Sequence, residues 1–154
     1  MKDNYKFVRS NQLSQNILIV DGVSATGKKL MCAYLQTFPR VQKMEVDQMF
    51  RKIANLSTFN KIDQQTTSTI LNLYADTFLQ NTLLSRDMNF RPYDGSSIFQ
   101  SYKKLEYIKR LFYKDGDNVH NIIKKKKPIL NIMTHYGLPS IDVFFNAFKG
   151  RLKF

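Results

Sequence analysis

Cysteine, glycine and acid are scarce in this chain. One cysteine, Cys32, stands among 154 residues, with six glycines and four prolines. A single thiol forms no internal disulfide and builds no cysteine metal cluster, which suits a reducing compartment and a cytoplasmic protein. No run of 18 or more apolar residues occurs, so nothing reads as a membrane-spanning helix. The stretch from Met1 to Asn16 is polar and lacks the apolar centre of a secretory signal. Repeats and low-complexity linkers are missing too, and the length fits one domain over residues 1–154.

Acidic residues number twelve against twenty-four Lys and Arg, a net charge of +12. Such a surplus attracts polyanions and phosphorylated small molecules. The run Lys124–Lys127 ends a helical pattern before Pro128 and reads as a solvated, dipole-complementing face. Recognisable nucleic-acid motifs are not interleaved with these charges, so nucleic acid is not the expected partner. Hydrophobic residues make up 43% of the chain, including twelve Phe and eight Tyr. That is enough for a core, and disorder is not expected.

The most informative stretch is Asn16 to Lys29, NILIVDGVSATGKK. A short apolar run enters a glycine-spaced turn and then an apolar-periodic helix over Lys28–Thr37. Gly22, Gly27 and Lys28 fit the GxxxxGK portion of the phosphate-loop pattern, whose amides gather at a helix N-terminus and bind anions. The expected binding residues are Gly22, Ser24, Ala25, Thr26, Gly27, Lys28 and Lys29. Lys29 stands where the pattern has Ser or Thr. That hydroxyl ordinarily ligates Mg²⁺, and an ammonium cannot. The residues therefore favour transfer of an anionic group without a metal, although Asp21 or Asp47 leaves a variant magnesium site open. Only one of the two neighbouring lysines is expected to face the loop.

Further elements follow by the same reading. Strands are expected over Val41–Val46 and Pro128–Met133, and helices over Gln48–Asn55, Asp63–Ser85, Ile98–Tyr113, Val119–Lys126 and Ser140–Phe148. Phe38-Pro39-Arg40 stops the first helix, Asp87–Ser97 is a loop and Lys114–Asp117 ends a helix. Gly150–Phe154 reads as a helix stop and the onset of a fourth strand, which suggests a domain incomplete at its C-terminus. Strands alternating with helices imply an α/β fold, a parallel sheet flanked by helices in three layers as in P-loop proteins. Ligands in such sheets sit at the carboxyl ends of strands, where Asp21, Asp47 and Thr134-His135 fall. His135 can take a proton from an acceptor hydroxyl there. Arg86 and Arg91 form a loop pair able to clamp an oxyanion, so they join Asp47 as candidate substrate contacts. Tyr102, Tyr107, Phe112 and Tyr113 read as core.

Phe38-Pro39-Arg40-Val41, Met133-Thr134-His135-Tyr136-Gly137-Leu138-Pro139 and Lys153-Phe154 give the chain its resemblance to a family. It resembles the P-loop sulfotransferases that use 3′-phosphoadenylyl sulfate, over Asn16–Val46 and Pro128–Phe154. The resemblance implies that the Ser24–Lys29 loop binds the 5′-phosphosulfate, that His135 is the catalytic base with Lys28 beside it, and that the acceptor is a small molecule or glycan. The family's loop has a Lys before its Ser-Gly and two Thr after. Ala25 takes that lysine's place, and Lys28-Lys29 take the threonines'. The family's 3′-phosphate contacts would lie beyond Phe154. The competing expectations are a small-molecule kinase using ATP with Mg²⁺, a non-catalytic nucleotide binder, and a basic nucleic-acid binder.

Overall fold

The computed structural model describes residues 12–113 and 116–153. The readings that fall on Met1–Asn11, on Lys114-Asp115 and on Phe154 lie outside them. Mixed α/β architecture is borne out. Strand β1 (Ile17–Val20) leads into helix α1 (Lys28–Leu35), followed by β2 (Glu45–Val46), α2 (Met49–Thr58) and the long α3 (Gln64–Leu83). Next come α4 (Lys104–Arg110), α5 (Asp117–Lys126), β3 (Leu130–Met133), α6 (Ile141–Phe148) and β4 (Leu152–Lys153). The sheet has the order β2-β3-β1-β4 and every pairing is parallel. No helix among the described residues is long and apolar enough to cross a membrane.

Strand register sorts the side chains. Ile17 pairs with Leu130 and Ile19 with Ile132, so these four share one face. They pack there on Phe50 and Ile53 of α2, Leu71 and Leu79 of α3, and Phe144 and Phe148 of α6. Phe50 is fully buried and meets the rings of Tyr74, Phe78 and Phe148. Truncating such a ring to Ala costs roughly 3–5 kcal/mol. Val20 and Met133 turn to the opposite face, joining Met44 and Cys32 in a much smaller cluster beneath α1. The site described below sits over this thinner side.

Two expected elements are shorter than their apolar patterns. In the segment Val41–Val46, Gln42 N–H donates to Ile129 O at 2.9 Å and Ile129 N–H to Arg40 O at 2.8 Å. The ladder then bulges: from Val41 opposite Ile129 to Glu45 opposite Ile132 the edge takes four steps against three, and pairing resumes at Glu45–Val46. On the side away from β3, Lys43 N–H donates to the buried Tyr107 hydroxyl at 2.6 Å. In Ile98–Tyr113 a 3₁₀ turn at Ile98–Gln100 is separated from α4. Ser97 Oγ accepts from Phe99 N–H and Ser101 Oγ from Lys103 N–H, offering the backbone local partners that compete with a continuous helix. The break also corrects the expected core. Tyr107 is fully buried, whereas Tyr102 and Phe112 are 74% and 80% exposed and Tyr113 is 40% exposed. Lys124–Lys127 are exposed at the end of α5, as expected.

Candidate functional site

The corner between β1 and α1 is a left-handed loop closed by its own lysine. Gly22 has φ +148°, Ala25 +65° and Gly27 +79°. Among the described residues no side chain caps the N-terminus of α1. Its first amides are consequently open to a ligand, with the positive end of the helix dipole behind them. Lys28 is 6% exposed. Its ammonium donates to Gly22 O at 2.7 Å and also to Val23 O. Gly22 makes room for this: a Cβ there would lie 3.2 Å from Thr26 Oγ1 and 3.6 Å from Lys28 Cδ. An ammonium has three N–H donors, so one remains for an anion in the loop.

Lys29 leaves in another direction. A Cβ on Gly95 would lie 3.6 Å from its Cδ, Cε and Nζ, so its stem and head run along the Gly95 turn. Of the two lysines, Lys28 turns its ammonium back onto the loop carbonyls, while Lys29 runs along Gly95 and still lines the loop's concavity.

Asp21, directly after β1, ties the corner to the segment after β3. Its Oδ1 accepts from Thr134 Oγ1 at 2.7 Å and its two oxygens accept from Gly137 N–H at 3.0 and 2.9 Å. Leu138 N–H donates to Oδ2 at 3.0 Å. Tyr136, at φ +57°, carries the chain over the corner. A Cβ on Gly137 would meet Asp21 Oδ1 at 3.2 Å and Thr134 Oγ1 at 3.3 Å, so glycine permits the close approach. This clamp delivers His135 beside the phosphate-type loop. Sequence reasoning placed Asp21 at the strand end but missed its work. The available signal was Gly137 two residues after His135.

Ser24 to Lys29, Met133 and His135 together line a concavity of about 420 Å³. A second concavity, about 360 Å³, shares Lys29, Met133 and His135 and is completed by Met44, Val46 and Tyr93–Ser96. His135 belongs to both walls. Its Nδ1 is covered by protein and has no hydrogen-bond partner among the described residues.

The other sequence candidates are placed differently. Asp47 follows β2, but its carboxylate accepts from Met49 N–H at 2.5 Å and from the Tyr74 hydroxyl at 2.5 Å, and it lines neither concavity. Burial, then the hydrogen bond and charge of Asp47, push the Tyr74 hydroxyl above its ordinary range. Arg86 is exposed and lines neither concavity. Arg91 lies 3.7 Å from Asp94, a rim residue of the second concavity, and the two arginines form no clamp on the loop. Among the described residues no group of three His, Cys, Asp or Glu side chains gathers as a metal ligand set. Cys32 is fully buried on the inner face of α1, and burial pushes its thiol up to about 11, the Lys28 charge opposing. It packs and does not react.

A roomier depression of about 860 Å³ lies between α3 and the segment entering β4. Its polar wall is built around Arg151, which donates to Ser14 O at 3.0 Å and to Asn72 Oδ1. That network holds the fold together and offers no nucleophile or acid–base pair.

No protein-family model, curated protein or solved structure matches this chain.

Proposed function

We propose that this chain, on a P-loop-type α/β fold, binds a nucleotide phosphosulfate and transfers its sulfuryl group to a hydroxyl or amine acceptor. The observation that carries the reading is the convergence of three features on one concavity: uncapped α1 amides, the inward Lys28 and the imidazole of His135. The residues fit 3′-phosphoadenylyl sulfate as donor, since the loop presents N–H groups and one free ammonium donor to a terminal oxyanion. The donor supplies an activated sulfuryl group. Lys28 and the loop amides hold its bridging and terminal oxygens, where negative charge grows as the S–O bond breaks. His135 takes the acceptor proton while the acceptor oxygen or nitrogen bonds to sulfur, and adenosine 3′,5′-bisphosphate leaves.

The reading without metal is supported by what the candidate ligands already do. Lys29 supplies no hydroxyl, Asp21 is spent on Thr134, Gly137 and Leu138, and Asp47 on Met49 and Tyr74.

Calorimetric titration with adenosine 3′,5′-bisphosphate and with ATP, each with and without Mg²⁺, tests it. The expected result is metal-independent binding of the bisphosphate, weakened at least about tenfold by Lys28→Ala. ATP binding that requires Mg²⁺ would identify a kinase instead. Unchanged affinity in Lys28→Ala would remove the loop assignment.

A further inference from the structure

We infer that the two adjacent lysines serve different ligands: Lys29 reads the acceptor in the second concavity and selects one carrying an anionic group beside its reactive hydroxyl. The inference rests on the sulfuryl-transfer reading of the neighbouring loop. Lys28 is committed inward to Gly22 and Val23. Lys29 instead places its Nζ at Gly95, a residue that lines the second concavity and not the first. Among the described residues no oxygen pairs with that ammonium, although the side chain's stem is braced along the turn.

The charges around it make the second concavity locally cationic. Asp94 is the acid on the rim, but its carboxylate accepts from Asn89 Nδ2 at 3.0 Å and faces Arg91 at 3.7 Å. Ser96 is occupied as well: its Oγ accepts from Asn89 Nδ2 at 3.0 Å and its carbonyl from Lys43 Nζ at 3.0 Å. The floor is apolar, made of Met44, Val46 and Met133 from the ends of β2 and β3. Lys29 is thus an uncommitted cation at one side, and the His135 imidazole lines the other. A compact hydroxy acid matches both: its carboxylate meets the ammonium, its carbon body lies on the methionines, and its hydroxyl reaches the imidazole wall of His135. A cationic acceptor is repelled.

The test compares two pairs of probes that differ only in charge: 4-hydroxyphenylacetate against 4-hydroxyphenylacetamide, and 3-hydroxybutyrate against 3-hydroxybutyramide. Binding is read by ligand-observed NMR titration on the full chain. The acids are expected to bind about fivefold or more tighter than the amides at low salt, an advantage that added salt reduces. Lys29→Met should abolish that preference and leave adenosine 3′,5′-bisphosphate affinity within about twofold, while Lys28→Met does the reverse. Equal binding of acid and amide overturns the inference, as does failure of all four probes to bind. Loss of bisphosphate affinity in Lys29→Met to the same degree as in Lys28→Met also overturns it, because Lys29 would then belong to the donor loop. Failure of the bisphosphate to bind the unaltered chain while acid preference persists strikes the sulfuryl-transfer reading alone.

Discussion

The Asp21 carboxylate receives the Thr134 hydroxyl at 2.7 Å, joining the end of β1 to the end of β3 across 113 residues of chain. Each strand end then feeds one half of the site: Gly22 and the loop on one side, His135 on the other. With Gly137 and Leu138 N–H on the same carboxylate, this side chain joins the backbone bonds from Thr134 N–H to Val20 O and Tyr136 N–H to Gly22 O in placing the imidazole beside the loop.

Replacing Asp21 by Asn puts an NH₂ where two backbone donors already point. Asp21→Asn is expected to destabilise the fold by about 2 kcal/mol, the cost of leaving part-buried donors unpaired. Urea denaturation measures this. Thr134→Val removes one hydroxyl and should cost about 1 kcal/mol. A smaller effect for Asp21→Asn than for Thr134→Val would contradict the clamp.

Gly27 tests the loop without touching a contact. A Cβ there meets nothing within 4 Å, yet φ is +79°. Gly27→Ala should therefore lose about 1–2 kcal/mol from backbone conformation alone, and Gly27→Asn less, because Asn tolerates the left-handed region better. Thermal unfolding of the two variants provides the comparison.

His135 lines both concavities and holds no part of the core. His135→Ala should leave thermal stability nearly unchanged and bisphosphate affinity within about twofold, while abolishing sulfuryl transfer to any acceptor found. Persisting transfer would show that another group takes the proton.

Cys32 gives a pH dependence with a defined sign. Burial raises the folded thiol to about 11 from a reference of 9.0. Below pH 9 both folded and unfolded chains keep the proton. Between about 9 and 11 only the unfolded chain releases it, so stability falls as pH rises through that window. Cys32→Ala should flatten this slope in urea titrations. At pH 8 a thiol reagent is expected to modify Cys32 only as fast as the chain opens.

Asp76, 3% exposed, accepts from Ser14 N–H at 2.9 Å and from Ser14 Oγ at 2.6 Å. Arg151 donates to the same serine's carbonyl. Asp76→Ala leaves these groups buried without their anion and should cost about 3–5 kcal/mol by denaturation. It should not alter bisphosphate affinity at the distant loop once the folded fraction is accounted for.

Local pattern alone determined the alternation of strands and helices and the glycine corner after β1. The reason is that a short apolar run, a glycine at positive φ and a helix start are each set by neighbours within a few residues. The two lysines were legible as an either-or, since adjacent helix positions point about 100° apart. Only the folded chain decided which one entered the loop, because Gly22 and Gly95 supply the two spaces. Likewise, the Tyr107 hydroxyl that takes the outward Lys43 N–H beside the second strand comes from 64 residues away. The engagement of Asp21 and Asp47 depends on segments brought in from α2, α3 and the end of β3. A carboxylate at a strand end looks the same in sequence whether it waits for a metal or is already saturated with N–H and O–H donors, and partners supplied through space make that difference.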